Sequence, residues 1–162
     1  STETFLLSPA SDPRGAELWG AFKNVIALGC GIADGLPEGS GDNLKAAIFT
    51  VGFSEAKRLM AELGAEPETA YSAAGLGDLF VTATSSHGRN RTLGQKLGSG
   101  RTLEEAMAET VMVAEGVRAA RMFGVLTKKR KLTAPFVAAI NDLLDNKISS
   151  TDCVKRILSG SF

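Results

Sequence analysis

Asp12-Pro13-Arg14-Gly15-Ala16-Glu17-Leu18-Trp19-Gly20-Ala21-Phe22-Lys23-Asn24-Val25-Ile26-Ala27-Leu28-Gly29-Cys30-Gly31-Ile32-Ala33-Asp34-Gly35 is the stretch on which the fold turns. Part of it imitates a β-strand, residues 25–28, running into a dinucleotide loop at Gly29, Gly31 and Gly35. The imitation fails twice. The third glycine comes one residue late, and Pro37, Gly39 and Gly41 bar the helix whose N-terminus would hold a pyrophosphate. The helical reading is consistent throughout. Asp12 is a capping residue, Pro13 suits a first helical position, and Leu18, Phe22, Val25, Ile26 and Ile32 recur at helical spacings. The glycines then serve to let helices approach closely.

Working outward, the same pattern repeats. Residues 35–41 break the first helix, and Asp42 or Asn43 caps a second carrying Leu44, Ile48, Val51, Leu59, Met60 and Leu63, which stops at Gly64. Glu66-Pro67-Glu68 opens a short helix that ends before Gly75. Residues 90–97 form another, with Gly98 as its stop. Thr102 and Glu105 have the spacing of a capping box. Glu115-Gly116 precedes a helix reaching Lys128-Lys129-Arg130-Lys131, and helices open at Pro135 and after Ser149. Strand patterns are confined to residues 4–7 and to Val111-Met112-Val113. With no internal repeat and no dividing linker, the expectation is one all-α helical bundle over residues 1–162.

Composition excludes several classes of function. Lys+Arg and Asp+Glu are balanced at 18 each, so no overall field points to nucleic acid, and the basic run 128–131 reads as a solvated helix end. Cys30, Cys153 and the single His87 have no ligand-like spacing, so no metal site is expected. No apolar run reaches the roughly 18 residues of a membrane span, and the first residues lack a signal-peptide pattern. The thiols read as core residues of a reducing compartment, the cytoplasm.

Three places carry chemistry. Lys23 has Trp19, Ile26 and Ala27 as its helical neighbours. It either buries its stem and keeps its ammonium in water, or is desolvated enough to take and return a proton. Asn24 lies roughly 100° round the helix from it. Asp78, behind Gly75-Leu76-Gly77, either caps residues 79–82 or uses the glycines to reach a neighbouring helix. Gly88-Arg89-Asn90-Arg91 starts a helix, with Asn90 as its cap. That start flanked by Arg89 and Arg91 is also suited to an anion, through free amides, a positive dipole end and a bidentate guanidinium. Glu115 reads as a helix-start acid.

Taken in order, Lys23-Asn24-Val25-Ile26-Ala27, residues 31–35, residues 41–47, Gly75-Leu76-Gly77-Asp78-Leu79, Arg89-Asn90-Arg91 and residues 113–117 resemble the C-terminal domain of NAD-dependent glycerol-3-phosphate dehydrogenases. The resemblance implies a helical bundle of the 6-phosphogluconate dehydrogenase C-terminal-domain-like kind. It also implies an oxidoreductase interconverting sn-glycerol 3-phosphate and dihydroxyacetone phosphate with NAD or NADP, serving carbohydrate and phospholipid metabolism. By position, Lys23 resembles the proton acceptor and Asp78 the carboxylate that orients it. Lys23, Asn24, Asp78, Gly88, Arg89 and Asn90 match substrate-binding positions. Arg89, Val113 and Glu115 match cofactor contacts. A homodimer is implied as well.

Two departures bear on these expectations. Gly88 stands where many bacterial members carry Ser, which removes a hydroxyl donor. The Rossmann half of the family is not in the chain, and residues 1–11 resemble the connection from it, so the chain alone is expected to be inactive. Two alternatives accompany the reading: the substrate domain of a related hydroxyacid dehydrogenase, and a non-catalytic helical interaction module.

Overall fold

The computed structural model describes residues 2, 4, 5, 7, 9–37, 41–85, 88–109 and 115–160. Among them are eight α-helices: α1 (Pro13–Asp34), α2 (Asp42–Glu62), α3 (Asp78–Thr84), α4 (Arg89–Gly98), α5 (Leu103–Ala108), α6 (Glu115–Arg130), α7 (Pro135–Leu144) and α8 (Ser150–Ser159). No strand occurs among the described residues. Thr4, Phe5 and Leu7 are not in a strand, and Val111-Met112-Val113 lies outside the described residues.

α1 is the axis of the molecule. Asp12 begins it by accepting a hydrogen bond from the Gly15 amide at 2.8 Å, and its second oxygen accepts from the Glu66 amide and the Thr69 hydroxyl. One carboxylate thus caps α1 and clamps it to the turn after α2. Those bonds, Thr69's first, hold Asp12 below the usual carboxylate range. Further along, every residue from 25 to 33 is buried. Of the residues recurring at helical spacings, Phe22, Val25, Ile26 and Ile32 are fully buried and Leu18 packs half-buried against the core. Trp19 is the fully buried residue of that turn, and the second half of α1, residues 25–33, is apolar all round because neighbouring helices, α4 and α2 foremost, enclose it.

The glycines explain how α4 comes so close. A Cβ at Gly31 would lie 2.2 Å from the Arg91 carbonyl oxygen, and one at Gly35 would lie 2.1 Å from that of Gln95. From the other side, Gly94 and Gly98 would meet the carbonyls of Leu28 and Ile32, each at 2.3 Å. Two small-xxx-small rows therefore face each other, and α1 and α4 touch backbone to backbone. Gly98 is thus both the last residue of α4, where the helix was expected to stop, and a packing residue. The chain reverses two residues later at Gly100, where φ is +92°.

Elsewhere side chains do the packing. Phe22 and Phe123 meet edge-on, 4.8 Å between ring centres. Glu55 of α2 is buried and accepts from the Phe136 and Val137 amides at 2.8 and 2.9 Å, capping α7 from another helix. Burial outweighs those two bonds and raises its carboxyl above the usual range. The Thr102–Glu105 capping box is present in full, and Ser149 caps α8 through the Asp152 amide. Lys128, Lys129 and Arg130 are exposed in the last turn of α6, where they complement its dipole.

Candidate active site

Lys23 and Asp78, 55 residues apart, form an ion pair between α1 and the first turn of α3. Their side chains are 22% and 40% exposed, so the pair is open to a ligand on one side and backed by protein on the other. Asp78 does not cap α3, which Gly77 precedes without a side-chain bond. A π turn, Ala73–Gly77, delivers it, a backbone form that recurs at functional positions. Ser72 organises that turn. Its carbonyl accepts from the Gly75 and Gly77 amides, both at 3.2 Å, and its hydroxyl accepts from Gly75 and donates to the Thr69 carbonyl. Gly75 is obligatory, since a Cβ there would stand 2.2 Å from the Thr69 carbonyl oxygen. The Ser72-x-x-Gly75 spacing was a signal that the sequence reading passed over.

The second component is the start of α4. Gly88 is the N-cap residue, with no side chain capping the helix. The first intrahelical bond is donated by Thr92 to the Gly88 carbonyl, so the amides of Arg89, Asn90 and Arg91 precede the ladder. Gly88's own amide is engaged, donating to the Ser85 carbonyl at 3.3 Å. Arg89 is exposed and its guanidinium has no hydrogen-bond or ionic partner among the described residues. Arg91, expected to flank an anion, is committed elsewhere. Its Nε bonds Asp34 Oδ2 at 2.6 Å and its Nη1 bonds the Thr84 carbonyl, while Lys45 holds the other Asp34 oxygen at 3.0 Å.

Asn24 and Asn90 join the two components. Asn90 is not the N-cap that its position suggested. It is 7% exposed, as is Asn24, and its Nδ2 donates to Asn24 Oδ1 at 2.8 Å. Asn24 Nδ2 donates to the Gly20 carbonyl, and Asn90 Oδ1 accepts from the Gly116 amide at 2.8 Å. The Lys23-Asn24 and Arg89-Asn90 dipeptides are thereby tied together, and the start of α6 is tied to both. Glu115, the first residue of α6, is exposed without a side-chain partner among the described residues. Val113 and His87 lie outside them. The two thiols take no part: burial pushes both Cys30 and Cys153 up to about 12. No group of three or more metal-ligating side chains assembles among the described residues.

This arrangement offers a paired ammonium and carboxylate for proton exchange beside a helix start suited to an anion. Residues 12–155 match the model of the NAD-dependent glycerol-3-phosphate dehydrogenase C-terminus. The chain belongs to this family. Within the glycerol-3-phosphate dehydrogenases it is 44% identical over 157 residues to the NAD(P)+ enzyme of Pelotomaculum thermopropionicum, covering 97% of this chain and 44% of that protein. It is 43% identical over 158 residues to that of Rhodospirillum rubrum, covering 98% and 45%. The crystal structure of glycerol-3-phosphate dehydrogenase from Coxiella burnetii superposes with a TM-score of 0.91 at 32% identity, over 98% of this chain and 48% of that one. The chain thus spans a little under half the length of the curated relatives it matches, and the all-α fold is that of their C-terminal portion.

Proposed function

We propose that this chain, residues 1–162, is the substrate-binding domain of an enzyme that interconverts sn-glycerol 3-phosphate and dihydroxyacetone phosphate with NAD or NADP, the nucleotide being held chiefly by a Rossmann domain to which residues 1–11 connect. The observation that carries the reading is the Lys23–Asp78 pair held beside an α4 start whose Arg89 has no side-chain partner among the described residues. In the oxidative direction Lys23 Nζ, as the neutral amine, takes the proton of the substrate's C2 hydroxyl and becomes the ammonium that Asp78 holds in place, and in the reverse direction the ammonium returns it. The first amides of α4 and the Arg89 fork receive the phosphate dianion. Gly88 shapes that start through its backbone, and Asn24 and Asn90 belong to the same substrate site. The side chains of Arg89 and Glu115, which have no partner among the described residues, suit the polar edge of a dinucleotide, with Val113 near Glu115 in sequence. When bound, the nicotinamide supplies hydride exchange at C2. The proposal includes a cytoplasmic homodimer, and no described helix is long and apolar enough to cross a membrane.

Kinetics of the full-length protein test this. Lys23→Ala should lower kcat by about 10²–10⁴-fold, with KM changing far less. Arg89→Lys keeps the charge but loses the fork, so it should raise the KM for sn-glycerol 3-phosphate by roughly tenfold, equivalent to about 1.4 kcal/mol. A kcat for Lys23→Ala within a few-fold of wild type would refute the proton-transfer role. A full-length protein without nicotinamide-dependent turnover would point to the interaction module instead.

A further inference from the structure

Asn24 and Asn90 leave little polar capacity facing outward. Asn24 spends its Oδ1 on Asn90 and its Nδ2 on Gly20, and Asn90 spends its Oδ1 on Gly116. Both are buried. The relay has a direction that only carboxamides satisfy, because Asn90 must donate to Asn24 with one end and accept from α6 with the other. Its far end is sterically fixed as well. A Cβ at Gly116 would lie 2.8 Å from the Asn24 carbonyl oxygen and 2.9 Å from Asn90 Oδ1, so only a glycine lets α6 seat at this junction. Three helix segments therefore meet at a single carboxamide: α1 beside Lys23, α4 beside Arg89, and α6 beside Glu115.

We propose that Asn24 is a positioning residue that acts through the Asn90 carboxamide, bracing the starts of α4 and α6 as one unit so that Arg89 and Glu115 are presented together to substrate and cofactor. This rests on the reading given under Proposed function. Asn24 acts on the ligands only through Asn90, and Gly116 is its counterpart on α6. Removing the brace lets the two helix starts drift independently, and displacements of the order of an ångström are enough to weaken oriented contacts. The Lys23–Asp78 pair, held by separate contacts between α1 and α3, keeps its geometry.

The test is steady-state kinetics of the full-length enzyme, with kcat normalised to folded protein. For Asn24→Ala, the KM for sn-glycerol 3-phosphate and the KM for the nucleotide should rise together, each by at least about fivefold, with kcat within about threefold. Gly116→Ala strikes the same junction from α6 and should raise the same two constants. It also serves as the deciding variant if Asn24→Ala fails to accumulate. Asn24→Asp keeps an oxygen facing Asn90 Nδ2 but sets its other oxygen against the Gly20 carbonyl, so it should not recover the loss. The double variant should be no worse than the more severe single one, because both break one junction. A rise in substrate KM alone would overturn the proposal in favour of a direct substrate contact. A fall in kcat with both KM values unchanged, or additive effects in the double variant, would overturn it too. A wild-type enzyme that does not saturate with sn-glycerol 3-phosphate would remove the underlying reading itself, a result separate from any difference among these variants.

Discussion

Gly29 and Gly31 sit two residues apart on one helix, yet they face opposite kinds of surroundings. Gly31 looks onto the backbone of α4, where the Arg91 carbonyl stands 2.2 Å from an added Cβ. Gly29 looks onto the Phe136 ring tip, 2.8 Å away, and a methyl of Ile48. The first neighbour cannot yield without moving a helix. The second is the tip of a side chain, which can shift without moving a helix. The α1–α4 contact is therefore a seam of fixed spacing, whereas the side towards α2 and α7 is a conventional core that tolerates repacking. The seam is also the region that carries Lys23, Asn24, Arg89 and Asn90, so rigidity is concentrated where the ligand groups must hold their relation.

The sharpest way to break this contrast is Gly31→Ala. It should destabilise the protein by about 3 kcal/mol or more, read by denaturant unfolding, because overpacking here is met by backbone. A loss below about 1 kcal/mol would show that the helices can part and that the seam is not fixed.

Next in size is Glu55→Ala on the other side. It strands the buried Phe136 and Val137 amides at the start of α7, a loss of about 2 kcal/mol. Glu55 also binds its proton more tightly in the folded chain than in the unfolded one. Its contribution is therefore complete below the ordinary carboxylate range and is lost as the pH rises through its elevated folded value. Glu55→Gln should remove that part of the pH profile of unfolding, and an unchanged profile would show that burial does not govern this carboxyl.

Smallest is Gly29→Ala, for which about 1 kcal/mol is expected if Phe136 swings aside. A loss equal to that of Gly31→Ala would erase the distinction between the two faces.

What the sequence made legible follows the range of the interactions. Asp12-Pro13, the Thr102–Glu105 box and Ser149 were readable because each closes within four residues, and the structure contains all three caps. The all-α architecture followed from such local signals plus periodicity. An asparagine at a helix start announces a local cap, which Asn90 is not. Its partner is Asn24, 66 residues earlier, and no spacing rule encodes that. The commitment of Arg91 to Asp34 and the capping of α7 by Glu55 were hidden for the same reason. Gly98 shows the ambiguity of glycine itself: its place near a helix end reads as a stop, and only the facing row of Gly31 and Gly35 reveals a contact. Lys23 and Asp78 could be nominated separately from residue type and neighbours, but the π turn that brings them together has no periodic signature.

The enclosure of α1 has a further consequence, in time. The half of α1 from 25 to 33 is buried at every residue, and its amides reach solvent only when the surrounding helices separate. Amide hydrogens of residues 25–33 should thus exchange at the rate of global opening, while α3 and α5, short and half exposed, exchange by smaller local events. The ammonium of Lys23 is anchored to the most persistent element of the molecule, and the carboxylate that meets it arrives on one of the most transient.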